Sequence, residues 1–189
     1  TIDLVIRVRG GLTVFRDPIT KLEMISDAFP SELVKDKDNQ DISGLRVFQS
    51  RKMTSGGEEI NTGGGSAFNG GDDIIDDSIE TVDAIEYTFH LQALTMTPKE
   101  LQNYLIPYVQ SIRLRWREQG KPKEEIQAMM LASNIAATYL INKVKECEVF
   151  INTDYNMQGG ICLREWSEVG NKYYYLMHGL EGGRDKCAF

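Results

Sequence analysis

Residues 97–145, TPKELQNYLIPYVQSIRLRWREQGKPKEEIQAMMLASNIAATYLINKVK, decide the fold. Thr97-Pro98-Lys99-Glu100 carries a helix start in full. Thr97 can accept the Glu100 amide, Pro98 gives up only an amide that would have no helical partner, and Glu100 can reach back. Behind it Leu101, Leu105, Tyr108, Ile112 and Trp116 recur at helical spacing and define one apolar face. Pro107 lies inside that pattern and is expected to kink the helix. Gly120 stops it, and Pro122 followed by Glu124-Glu125 starts a second helix with acids at its positive end. Ile126, Met130, Ala137, Leu140, Ile141 and Val144 form the second stripe. Two long helices joined by a few residues pack as antiparallel neighbours, so 97–145 reads as a helical hairpin.

Outward from the hairpin the chain reads as strands and turns. CEVFI (147–151), ICLREW (161–166) and YYYLMH (173–178) follow it, separated by Asn- and Gly-rich turns. Ahead of it, 1–9, 12–17, 45–53 and 82–96 have extended character. ITKLEMISDAFP (19–30) reads as turn-like or short helical, and the charged run 35–41 as a bridge. Residues 54–80 are dense in Gly, Ser, Asn and acid, a composition expected of a long mobile loop. Strands on both sides of an inserted hairpin imply an α+β fold with a largely antiparallel sheet, and the whole chain, 1–189, reads as one domain.

Composition narrows the function. The 189 residues are 41% hydrophobic and 26% charged, an ordinary globular balance. Lys and Arg number 21 against 28 Asp and Glu, a formal charge of −7, which disfavours nucleic acid as partner. No apolar run reaches the ~20 residues of a membrane span, and no signal-peptide pattern opens the chain. Cys147, Cys162 and Cys187 lack the spacing of a disulfide framework or zinc site, so a reduced cytoplasmic setting is expected. Cys187 lies near the chain end on a segment with no apolar pattern. There it is expected to be exposed, with Arg184 and Lys186 favouring the thiolate. A monomer that dimerises through Cys187 on oxidation follows.

Chemistry-bearing motifs are sparse. His90 and His178 sit in apolar strand patterns, and either one beside a carboxylate would make a small catalytic domain, the rival to a binding protein, with a divergent paralogue that keeps only the fold as the other alternative. A phosphate loop at 63–71 fails because Gly70 is followed by Gly71 and Asp72 instead of Lys. An EF-hand from Asp36 fails because positions six and twelve are Asp41 and Val47. Asp72, Asp73, Asp76, Asp77 and Glu80 offer at most a weak hard-cation site. The uneven charge is on the hairpin, where Arg113, Arg115, Arg117, Lys121 and Lys123 gather around the turn. A basic tip on an acidic protein is suited to an acidic partner surface, and Arg113, Arg117, Lys121 and Lys123 are the contact residues.

Three stretches add a resemblance. FRDPITKLEMISD (15–27), VDAIEYTFHLQALTMTPKELQNYLIPYVQSI (82–112) and VFINTDYNMQGGICLREW (149–166) with HGLEGGRDKC (178–187) resemble, in order, the translationally controlled tumour protein family. The match runs from Leu12 to Cys187 and leaves residues 1–11 as an N-terminal extension. The chain departs from the family where Asn152-Thr153 replaces Gly-Glu, where the loop signature becomes Gly63-Gly64-Gly65-Ser66-Ala67-Phe68, and where Leu22 replaces an Asp. The resemblance implies an Mss4-like fold: a β core, a projecting helical hairpin and a long mobile acidic loop. It implies no catalysis and no required cofactor. It implies instead a cytoplasmic, growth-promoting and anti-apoptotic interaction protein with several partners. Those are calcium, tubulin and microtubules, apoptosis regulators and a Rheb-like small GTPase of the TOR pathway. Glu23 falls on the acid tied to the GTPase contact. Glu148 falls on the proposed calcium region, where affinity in the millimolar range is expected. The family is also described as dimerising through its terminal Cys, here Cys187.

Overall fold

The computed structural model describes residues 12–55 and 80–184. The N-terminal extension, most of the acidic segment and Cys187 lie outside the described residues. Within them the chain is α+β. Eleven strands run β1 (Thr13–Arg16), β2 (Glu23–Ser26), β3 (Ser31–Lys35), β4 (Asp41–Gln49), β5 (Lys52–Thr54), β6 (Thr81–Asp83), β7 (Gln92–Leu94), β8 (Glu148–Ile151), β9 (Ile161–Glu165), β10 (Lys172–Leu176) and β11 (Glu181–Arg184). The helices are α1 (Ala84–Phe89), α2 (Pro98–Glu118) and α3 (Lys123–Lys143).

All pairings are antiparallel. Six strands order as β3-β4-β10-β9-β8-β7, three as β11-β1-β2, and β5 pairs with β6. The strands β8, β9 and β10 bury residues on both faces of the six-stranded sheet, which explains why their sequences are nearly unbroken apolar runs. Alternate residues point to opposite sides. Tyr174, Leu163, Val149 and Ile151 join the core beneath the hairpin. Tyr173, Tyr175, Cys162 and Phe150 join a second core with Met24, Ile25 and Ile85. The Tyr175 hydroxyl donates to the Met24 carbonyl at 2.9 Å and ties β10 to β2.

The hairpin forms as expected. Thr97 and Glu100 make the reciprocal cap, and α2 runs unbroken through Pro107. Gly120, at φ +73°, closes it. Its amide bonds the Arg117 carbonyl and that of Lys121 the Trp116 carbonyl, a Schellman pair. On α3 the buried line is Ile126, Met129, Ser133, Ala136 and Leu140. Met130, Ala137 and Ile141 of the expected stripe only flank it.

Elsewhere the strand readings need correction. Residues 82–96 are not one strand: Asp83 caps α1 by accepting the Ile85 and Glu86 amides, and His90 ends the helix in the left-handed region. Part of 19–30 is extended, because Met24 and Ile25 are wanted in the second core. The charged run 35–41 is the turn between β3 and β4, held by Asp36 accepting the Asp38 and Gln40 amides.

Candidate functional site

The end of the hairpin is a built surface. Lys121 places its ammonium 4.1 Å from the centroid of the Trp116 ring, and Trp116 meets His178 edge-on at 5.5 Å. Arg115 donates to the Gly179 carbonyl at 3.3 Å, and Gln119 to Glu181 at 2.9 Å. These contacts fasten the end of α2 to the β10–β11 connection.

Arg113 and Arg117 come from α2, Lys121 from the turn and Lys123 from the start of α3. All four line one groove of about 710 Å³, together with Ile126, Gln127 and Met130. Among the described residues no carboxylate lies within ion-pair distance of any of the four. Their field is therefore directed outward, where it can steer an anionic partner.

Glu23 opens β2, and its carboxylate lies 2.6 Å from the Arg16 guanidinium, the two side chains 32% and 39% exposed. The turn that delivers it is pinned by Asp17, a cluster that the motif search did not single out. Asp17 is 1% exposed. Its Oδ1 accepts the amides of Ile19 at 2.7 Å and Thr20 at 3.2 Å, and its Oδ2 accepts that of Gly160. The Tyr104 hydroxyl donates to Gly159, so α2, the 152–160 loop and the β1–β2 turn meet there. Burial, reinforced by Tyr108 and Asp17, pushes the Tyr104 phenol well above its ordinary range, and burial with Asp17 does the same to Tyr108.

Glu148 begins β8 and is engaged by Arg164, which also bonds Glu86 at 2.7 Å and stacks 4.4 Å from the Phe150 centroid. Burial raises the Glu86 carboxyl, and Arg164 opposes the shift. A cation at Glu148 would compete with the guanidinium. Among the described residues no cluster of three or more His, Cys, Asp or Glu is arranged to hold a metal.

His90 is exposed as the α1 cap. The His178 ring packs over Gly44, its Nδ1 has no hydrogen-bond partner, and burial, with Lys121, lowers its pKa. Among the described residues neither histidine bonds a carboxylate. Burial raises the Cys147 thiol to about 11 and the Cys162 thiol to about 12, leaving both poorly nucleophilic.

Comparison with known proteins agrees with the architecture. The family model for the translationally controlled tumour protein matches residues 12–181. A translationally-controlled tumor protein homolog of Neurospora crassa is 26% identical over 174 residues, covering 90% of this chain and 98% of the relative. One from Saccharomyces cerevisiae is 22% identical over 171 residues, covering 89% and 97%. The solved structure of the translationally controlled tumor-associated protein p23fyp from Schizosaccharomyces pombe aligns with a TM-score of 0.65 at 18% identity. It covers 91% of this chain and 99% of that one.

Proposed function

Because the chain belongs to the translationally controlled tumour protein family, matched over residues 12–181, we propose that it is a non-enzymatic, cytoplasmic interaction protein whose hairpin end docks acidic partner surfaces such as tubulin tails. One observation carries this reading: on a chain of formal charge −7, four cations without carboxylate partners among the described residues line a single groove. Concentrated positive potential on a negative protein favours encounter with acidic segments and repels much else. Co-sedimentation with microtubules tests it. The combined variant Arg113→Glu, Arg117→Glu, Lys121→Glu, Lys123→Glu is expected to stay in the supernatant, and co-sedimentation of that variant would refute the reading.

A second contact, to a Rheb-like small GTPase, is proposed at Glu23. The half-exposed carboxylate held by Arg16 supports it, since an acid in fixed orientation costs little to order against a partner cation. Growth and survival signalling through the TOR pathway and apoptosis regulators belongs to the same proposal. Calcium at Glu148 is proposed as millimolar at best, and tight stoichiometric binding in calorimetry would overturn that.

A further inference from the structure

The groove at the hairpin end has a floor as well as charged walls. Ile126 is buried and Met130 half-buried, and both pack on the core beneath the hairpin, so the floor offers fixed apolar surface with exposed Gln127 beside it. A purely electrostatic contact with an acidic tail requires neither a concavity nor such a floor. The volume of about 710 Å³ lies within the ~300–1,000 Å³ of sites that enclose ligand groups.

We propose that the groove binds an extended partner segment in which acidic and apolar residues alternate. This rests on the acid-docking reading and adds what the floor selects. Arg113 and Arg117 lie one turn apart on α2, which is ~6 Å of axial rise. In an extended peptide every second side chain points the same way, at a repeat of ~6.6–6.8 Å. Carboxylates at alternate positions therefore meet successive cations along the rim, and the residues between them face Ile126 and Met130. Lys121 is already held over Trp116, which reduces the ordering cost of binding. The occupant is a segment of another protein, recognised by its charge complementarity to the rim and its apolar match to the floor.

Fluorescence anisotropy on the full chain with three labelled, end-blocked hexapeptides tests this. One alternates Glu and Leu, one alternates Glu and Ser, and one has the composition of the first in blocks, three Glu followed by three Leu. The alternating Glu-Leu peptide is expected to bind about tenfold more tightly than either other peptide. Met130→Gln should remove that advantage, and Met130→Leu should retain it. Equal binding of the three peptides, or an advantage that survives Met130→Gln, overturns the proposal while acid docking stands. If no peptide binds, acid docking falls and this proposal with it.

Discussion

Replacing Asp17 by Ala removes an acceptor for three backbone amides at once: Ile19, Thr20 and Gly160. Hydrogen bonds to a charged acceptor contribute ~1.5–3 kcal/mol each, and a buried donor left without a partner costs ~1–3 kcal/mol. The two turn amides lie beside an exposed Ile19 and recover part of their loss from water. Gly160 is buried against Tyr108 and recovers little. The sum is about 3–5 kcal/mol, a large share of the ~5–15 kcal/mol typical of a folded domain. Asp17→Asn keeps one oxygen and sets an amide against the remaining donors, so it should fall between wild type and Asp17→Ala. Urea unfolding followed by tryptophan fluorescence reads the series, with exposed Asp38→Ala as a control expected within ~0.5 kcal/mol of wild type. An Asp17→Ala variant within about 1 kcal/mol of wild type would show that the Asp17 pin carries no weight.

Glu23→Val removes a half-exposed pair with Arg16, worth about 1 kcal/mol to the fold, so a drop in GTPase affinity on titration should appear without unfolding, and unchanged affinity would exclude Glu23 from the contact. His178 gives a pH dependence of known sign. Burial and Lys121 hold its folded pKa below 6.5, so as pH falls through that value the unfolded chain takes up the proton first and stability declines until the folded pKa is passed. Thermal melts between neutral and mildly acidic pH should show this decline, and it should flatten in His178→Gln; an equal decline in both would assign it elsewhere. Mild peroxide should yield a dimer band on a non-reducing gel that Cys187→Ser abolishes, since Cys147 and Cys162 are held as thiols by burial; a band that persists would place the linkage at another cysteine.

The hairpin was legible in the sequence because its signals are local. Thr97, Pro98, Glu100 and Gly120 each act within one turn of where they stand. The face of α3 was misread because Ser133, a polar residue, occupies a buried position and bonds the Met129 sulfur at 3.4 Å. With Ser133 counted as surface, the stripe shifts to Met130 and Ala137. The β-branched and aromatic residues of 82–96 read as strand, whereas Asp83 caps α1 by accepting the Ile85 and Glu86 amides. β11, Glu-Gly-Gly-Arg, has no apolar side chain to mark it and exists through backbone pairing with β1. Charge placed the four groove cations together because they are near in sequence. The Asp17 pin joins residues 143 positions apart, and no local pattern announces such a contact.

The proposed docking of acidic surfaces at the hairpin end is electrostatic. The affinity of the wild-type chain for assembled microtubules, measured from about 50 to about 300 mM salt, tests it most directly. Exposed cations are screened within ~8 Å at physiological ionic strength, so affinity should fall steeply across that range. An affinity that stays flat would rule out docking by charge and leave the groove cations a role in solubility alone.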